Sequence, residues 1–239
     1  MKFDIEIQKD IPLYADMLES LRRQDAKILY DSETALLLQL KSWPLYLLGA
    51  VDPEEGKRLL GSMQPDENGL IAVTLHGKDL FSIAEELGFQ PSTPCYQTMY
   101  EKKEPIPLHT DLVIRHPDRK DYETICKAYT LPIGEEEILA AIDQPEFAAA
   151  YLGDKLAGFI GLHPEGSVGM LHVFDEFRGR GYALDLATHM LNGRLAEGAY
   201  PYGQVFIDNE ASIALQKKMG LSFSGDTICW MFKREDNAK

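Results

Sequence analysis

The sequence has few cysteines, no excess of basic residues and no uninterrupted apolar segment of membrane-spanning length. Three cysteines, Cys95, Cys126 and Cys229, are widely spaced among 239 residues. This number and spacing suit neither a disulfide framework nor a zinc site, so no metal is expected. We interpret the three side chains as small apolar groups of a protein in a reducing compartment.

The scarcity of positive charge excludes further classes of function. The net charge is −14, and residues 1–111 and 112–239 each hold 19 acidic residues against 11 and 13 basic ones. Neither half offers the basic surface that binds nucleic acid. The acidity favours solubility, or a negative field that attracts a cationic amine.

The most apolar stretch, residues 34–51, is interrupted by Lys41 and Pro44 and does not predict a membrane span. The opening segment MKFDIEIQKD has acids where a signal peptide needs an apolar stretch. These features predict a cytoplasmic protein with no membrane partner.

Two pairs of similar segments favour an internal duplication over chance similarity between two generic α/β units. Residues 73–104 align without a gap with residues 205–236, and the hairpin-like segment 28–40 matches 150–162 at an offset that is ten residues shorter. The second copy therefore carries ten extra residues within 174–204. We predict two domains, 1–104 and 111–239, joined by a linker at 105–110 that contains two prolines.

The pattern of the second domain predicts an α/β fold, of the α+β type with a mixed sheet and helices on both faces. The predicted elements are a strand at 112–116, helices at 118–130 and 135–143, a hairpin at 150–162, a strand at 168–174, a helix ending near Ala196, and a strand–helix–strand finish.

The segment EFRGRGYA, residues 176–183, lies between a predicted strand and a predicted helix. The first N–H groups of a helix lack partners within the helix and favour anions. Gly179 and Gly181 allow a phosphate to approach the backbone, and Arg178 and Arg180 add forked donors. The segment therefore predicts a pyrophosphate site, or alternatively an ordinary tight turn with solvated arginines. It lacks the third glycine of a dinucleotide loop and the Gly-Lys-Ser/Thr end of a nucleotide-triphosphatase loop.

The segment Arg178-x-x-Gly181-x-Ala183 resembles the Arg/Gln-x-x-Gly-x-Gly/Ala motif of the GNAT superfamily, the GCN-five-related N-acetyltransferases. The tandem arrangement is similar to the glycine N-acyltransferase-like branch, with a truncated amino-terminal copy. The resemblance implies two tandem GNAT-like folds and an acetyl-CoA co-substrate. It also implies that coenzyme A is bound by Val173, Arg178, Gly179, Arg180, Gly181, Tyr182, Ala183, Asn209 and Ser212.

In the first copy, DPEEGKRLLGSM at 52–63 occupies the place of the loop, with one central glycine and three acids. We expect this copy not to bind a pyrophosphate. Its expected role is to cover the acceptor cleft or to form a homodimer.

The resemblance also implies catalytic groups, and the sequence departs from the family at two of them. Gln216 replaces the usual tyrosine acid, and Ser167 replaces the usual strand glutamate. Glu165 is expected on the same strand face as Ser167, roughly 7 Å away along the strand, and is a candidate base. His172 and His163 are further candidates.

The backbone amide of Leu171 or Val173 is the candidate oxyanion donor. Tyr182 is a candidate acid or a packing residue. The resemblance thus implies an N-acetyltransferase acting on a small amine or an amino acid. The alternatives are a non-catalytic acyl-CoA-binding module and an enzyme that acetylates protein lysines.

Overall fold

A computed structural model of the chain describes residues 1–129 and 135–234, without the side chains of 135–137. Its helices are α1 (Asp4–Lys9), α2 (Ala15–Arg22), α3 (Pro53–Ser62), α4 (Phe81–Glu86), α5 (Tyr122–Ala128), α6 (Glu135–Ile142), α7 (Tyr182–Ala196) and α8 (Glu210–Lys218). Its strands are β1 (Ala26–Asp31), β2 (Ala35–Leu40), β3 (Leu45–Ala50), β4 (Leu70–His76), β5 (Gln90–Pro91), β6 (Cys95–Met99), β7 (Val113–Arg115), β8 (Ala148–Leu152), β9 (Lys155–Leu162), β10 (Val168–Val173), β11 (Tyr202–Phe206) and β12 (Ser222–Arg234).

The chain divides into two compact units. The first comprises Met1–Met99, Gln204–Ile213 and the chain from Ser222 onward, and the second comprises Tyr100–Gly203 and Ala214–Leu221. The predicted domain 111–239 is continuous in sequence, whereas the first compact unit takes in two of its segments. The reason is that β12 pairs antiparallel with β4 and with β6.

In the first compact unit the strands follow the order β1-β2-β3-β4-β12-β6, and β3 and β4 are parallel. Helix α3 connects these two parallel strands. The Asp52 carboxylate accepts hydrogen bonds from the N–H groups of Glu54 (2.9 Å) and Glu55 (3.3 Å), and Pro53 occupies the first helical position. The amino terminus of α3 is thus closed by its own chain.

In the second compact unit the strand order is β7-β8-β9-β10, followed by the first two residues of β11. Strands β10 and β11 are parallel, and the other pairs are antiparallel. Helix α7 packs on one face of this sheet through Leu186, Ala187, Met190 and Leu191. Ile125 of α5 and Ile138 and Ile142 of α6 pack on the other face, against Phe147, Phe159 and Met170. We call this second face the aromatic face.

The mixed α/β character predicted from the sequence is confirmed, and α7 ends at the predicted Ala196. The predicted helix 118–130 is shorter, because a 3₁₀ turn at Arg119–Asp121 precedes α5, and Thr130 lies outside the described residues. The apolar stretch at 34–51 forms β2 and β3. Within the described residues, no helix is both long and apolar enough to cross a bilayer.

Candidate functional site

The connection from β10 to α7 exposes its backbone. After a 3₁₀ turn at Asp175–Phe177, Gly179 has a φ of +76° and Gly181 a φ of +90°. A side chain other than glycine is strained at these angles. A Cβ placed on either glycine would have no heavy atom within 4 Å. The chain therefore turns sharply here and leaves open space above the turn.

Helix α7 begins without a cap. The carbonyl of Gly181 accepts from Leu184 (2.9 Å) and Asp185 (3.2 Å), and no side chain caps the helix. Across the described part of the chain, the N–H groups of Gly181, Tyr182 and Ala183 have no hydrogen-bond acceptor. Three donors without acceptors, at the positive end of the helix dipole, are the arrangement to which anions bind at helix starts in general.

The two arginines of the turn are exposed, but both make local contacts. The Nε of Arg178 donates to the carbonyl of Val173 (3.0 Å), and its Nη1 lies 2.9 Å from a carboxylate oxygen of Asp175. The Nη2 of Arg180 donates to the carbonyl of Glu176 (3.2 Å). Arg178 thus ties the end of β10 to the turn, and a salt bridge this exposed contributes little stability.

Strand β10 contains a β-bulge. Its pairing with β9 shifts by one residue between Gly169 and His172, so that Met170 and Leu171 together oppose Ile160. Met170 has a φ of +51°, a left-handed conformation that is uncommon outside glycine. β-Bulges occur often next to active sites, where they redirect the chain.

Beyond the bulge, one edge of β10 is available to a ligand. The N–H of Phe174 donates to Ala157 on the β9 side (3.0 Å). Because alternate residues of a strand point their N–H groups to opposite edges, the N–H of Val173 points away from β9. On that edge, within the described residues, β10 pairs with β11 only through Val168 and Gly203.

His172 lies on the aromatic face. Its ring stacks on Phe159 (centroids 5.3 Å apart) and meets Phe174 edge-on (4.9 Å). Burial first, and the positive charge of Arg178 second, lower the pKa of His172, which Asp175 partly offsets. The imidazole is therefore neutral at neutral pH and packed between rings. On the same face, His163 packs on Gly169, where a Cβ would come within 2.3 Å of Nε2.

The expectation that Glu165 lies on the face of β10 is wrong. Glu165 lies in the turn between β9 and β10, where Gly166 has a φ of +99° and its N–H donates to His163 (2.8 Å). Pro164 and Gly166 make this stretch a turn rather than strand. Glu165 is nevertheless 2% exposed, and the hydroxyl of Ser167 donates to its Oε1.

Other predicted site residues have structural partners. The Tyr182 ring is buried and its hydroxyl donates to Asp111 (3.3 Å), which fits the packing role better than that of an acid. The Asn209 side chain accepts from the N–H of Ser212 (3.1 Å) and caps α8. Asn209 and Ser212 lie in the first compact unit, so their role in binding coenzyme A stays a prediction.

Two features of the site escaped sequence reasoning. The left-handed conformation of Met170 has no signature in a methionine. Tyr129, which follows α5, has a buried hydroxyl, and its ring meets Phe159 edge-on (6.5 Å) on the aromatic face. No group of three His, Cys, Asp or Glu residues suited to a metal occurs in residues 1–129 and 135–234.

One family model matches part of the chain. A family model described as FR47-like protein matches residues 151–231. A search of curated proteins finds no match to the sequence.

Solved structures are similar over nearly the whole chain. A Drosophila protein has a TM-score of 0.62 at 15% identity, covering 99% of this chain and 94% of its own. A GNAT-family acetyltransferase from Novosphingobium aromaticivorans has a TM-score of 0.58 at 18% identity, with coverages of 94% and 99%. A GCN5-related N-acetyltransferase from Kribbella flavida has a TM-score of 0.60 at 11% identity, with coverages of 94% and 97%. At these identities the similarity establishes the fold, which is that of GNAT acetyltransferases.

Proposed function

We propose that the chain is an acyl-CoA-dependent N-acyltransferase, with acetyl-CoA as donor and the amine of a small molecule or amino acid as acceptor. The observation that carries the proposal is the uncapped start of α7, which directly follows a bulged strand with a free edge. This pairing provides an anion site beside a row of backbone groups, as an acyl group attached to a pyrophosphate-containing carrier requires.

The pyrophosphate fits the turn by charge and by space. The free N–H groups of Gly181, Tyr182 and Ala183 would donate to its oxygens, and the open space above Gly179 admits it. Arg178 and Arg180 are exposed and would exchange their weak local contacts for the phosphates. The N–H of Val173 would then hold the pantetheine arm, and the amide of Leu171, at the bulge, would face the acyl oxygen.

The co-substrate supplies the activated acyl group, and the chain's residues align the reactants. The amine nitrogen bonds to the acyl carbon, the carbon–sulfur bond breaks and releases coenzyme A as its thiolate, and the nitrogen gives up a proton. The proton acceptor we propose is the Glu165 carboxylate. His172 is the second choice, because it is neutral but enclosed by aromatic rings.

We further propose that the two compact units are tandem copies of one fold, as in the glycine N-acyltransferase-like branch. In support, each unit has an antiparallel hairpin, then a strand, a helix and a parallel partner strand: β1 to β4 around α3, and β8 to β11 around α7. The first copy would not bind coenzyme A, because Asp52 already occupies the start of α3.

The proposal is tested by titrating coenzyme A and acetyl-CoA into the protein by calorimetry, and by following thioester consumption with a panel of primary amines. We expect binding, and turnover with some amines. Failure of coenzyme A to bind refutes the proposal.

The second candidate function is a non-catalytic acyl-CoA-binding module. It is favoured by Gln216 at the position of the family's tyrosine and by the closure of the Glu165 carboxylate to solvent. Binding of coenzyme A without thioester consumption, over amines that include a lysine peptide, would select it. Acetylation of the peptide alone would select a protein lysine acetyltransferase.

A further inference from the structure

A histidine and an aspartate are paired in the interior of the first compact unit. His76, at the end of β4, and Asp16, on α2, are 1% and 0% exposed. The imidazole Nε2 lies 2.7 Å from Oδ1 and 2.9 Å from Oδ2 of Asp16, and Nδ1 lies 3.0 Å from the backbone carbonyl oxygen of Leu48. Both ring nitrogens therefore face oxygens, at a place closed to solvent.

The neighbouring hydrogen bonds decide which of these atoms carry hydrogens. A carbonyl oxygen can only accept, so the Nδ1 of His76 must be a donor. Oδ1 of Asp16 also accepts from the N–H of Met17 (2.7 Å) and from Nε2 of Gln97 (3.0 Å). Hydrogen bonds of this kind favour the charged form of a carboxyl group. A charged Asp16 only accepts, so the Nε2 of His76 must be a donor too. The geometry is that of an imidazolium paired with a carboxylate.

Neither neutral tautomer of His76 fits the same coordinates. With the hydrogen on Nδ1 alone, the lone pair of Nε2 faces the Asp16 carboxylate. With the hydrogen on Nε2 alone, the lone pair of Nδ1 faces the Leu48 carbonyl. Either arrangement sets two acceptors against each other where no solvent reaches them, which is costly. Loss of the proton would therefore force the ring or α2 to move.

The pair is one of three polar contacts that hold the same helical segment on the sheet. This segment consists of the 3₁₀ turn Ile11–Tyr14 and α2. Gln97 of β6 donates to the carbonyl of Leu13 (2.7 Å), and the carboxylate of Asp10 accepts from the N–H of Gly225 on β12 (2.7 Å). Of the three contacts, the one with β4 alone requires a histidine proton.

The other groups around the ring do not compete for that proton. Tyr14 stacks on the imidazole with centroids 5.6 Å apart, the contact from β3 is a backbone carbonyl, and the partner of His76 on β12 is Ile228. Burial raises the pKa of Tyr14, so its phenol stays neutral. Smaller contributions in the same direction come from Glu6, Asp10 and Asp226. Asp16 is thus the charged group that the structure places against the ring.

We propose that one buried proton, held between His76 and Asp16, fastens the amino-terminal helical segment to the sheet, and that the segment loosens when alkaline pH removes the proton. Above the pH at which a free histidine titrates, folding takes up this proton, so stability falls as the pH rises. While the uptake is complete, the equilibrium constant of unfolding increases by about tenfold per pH unit. The inference is independent of the proposed function.

The decisive variant is Asp16→Asn, because it removes the need for the proton. Its amide NH2 would donate to Nε2 of a neutral His76 whose Nδ1 still donates to Leu48, and its amide oxygen would still accept from Met17. Urea unfolding is measured for the wild type and the variant from neutral to alkaline pH. We expect the wild type to be more stable at neutral pH and the difference to shrink as the pH rises. A difference that is constant over this range overturns the proposal.

The matched control is Asp10→Asn. The Asp10 carboxylate accepts from the backbone N–H groups of Leu13 and Gly225 and contacts no histidine. The stability difference between this variant and the wild type should not change with alkaline pH. If it shrinks as for Asp16→Asn, the pH dependence is a general effect of removing a carboxylate, and the proposal fails.

Two measurements on the unaltered protein do not depend on whether a variant folds. In ¹⁵N NMR at neutral pH, both ring nitrogens of His76 should carry a hydrogen, and a ring with one bare nitrogen refutes the proposal. After correction for the intrinsic effect of pH, amide exchange in α2 should accelerate with rising pH relative to α3. Equal acceleration in the two helices would show that the segment does not loosen separately.

Discussion

Each compact unit contains a helix that connects two parallel strands, and the two helices begin in opposite ways. At α3, Pro53 and the Asp52 carboxylate satisfy the helix start from within the chain. At α7, Gly181 stands at the cap position and Tyr182 at the first helical position, and three N–H groups have no acceptor among the described residues. Every helix has a dipole, so the dipole alone does not make an anion site. The site that we propose at α7 depends on the chain providing no side-chain cap there.

The largest expected effect comes from placing a carboxylate at the uncapped start of α7. We expect Gly181→Glu to weaken coenzyme A binding at least about 100-fold, because the carboxylate occupies the phosphate space and repels its charge. The variant should also lose roughly 1–2 kcal/mol of stability, because φ at this position is left-handed. Calorimetry and urea unfolding measure the two effects.

The matched control for that variant is Gly198→Glu. Gly198 follows α7, has a φ of +66° and also has open space where a Cβ would lie. It should show a similar loss of stability with unchanged coenzyme A affinity. An equal loss of affinity in the two variants would mean that strain, rather than occupation of the anion site, is responsible.

A smaller effect is expected from removing the side-chain cap of α3. Asp52→Ala should lower the free energy of unfolding by about 1 kcal/mol, as loss of an N-cap usually does. Asp52→Asn should retain most of that stability, because its amide oxygen still caps α3. Chemical denaturation measures both, with coenzyme A affinity expected to stay unchanged. If either variant changed the affinity for coenzyme A, α3 would take part in binding, and the difference proposed here between α3 and α7 would not hold.

The smallest expected effect concerns the electrostatics at the end of β10. The pKa of His172 is lowered in the folded protein, so the unfolded chain binds the proton more tightly. The contribution of neutral His172 to the free energy of unfolding is therefore fully present above the ordinary pKa of 6.5. It is lost as the pH falls through the lower pKa of the folded protein. His172→Phe should flatten the acid side of the stability profile.

The same histidine reports on the anion site. Arg178→Ala should raise the pKa of His172 in an NMR titration, because the arginine is the second cause of its lowering. His189, whose pKa is lowered by burial alone, is the internal control and should not shift. A His172 titration that is identical with and without Arg178 would contradict this account.

Local patterns in the sequence predicted the fold and the open turn well. The apolar stripe of α7 gave its end at Ala196, and the two glycines marked the turn because only glycine adopts those angles at no cost. The position of Glu165 was predicted wrongly because the two-residue period of a strand was extended to a segment that Pro164 and Gly166 make a turn. The bulge at Met170 and the burial of the Tyr129 hydroxyl depend on contacts between distant segments, which no local pattern contains.

The left-handed conformation of Met170 also has an evolutionary consequence. This residue is buried against Phe147 and Phe159, so the packing of α5 and α6 holds the backbone kink in place. Mutations that repack those helices would therefore also shift the backbone of β10. Under the proposed function they would move the strand that aligns the thioester, so changes in α5 and α6 should be accompanied by compensating changes beneath the kink.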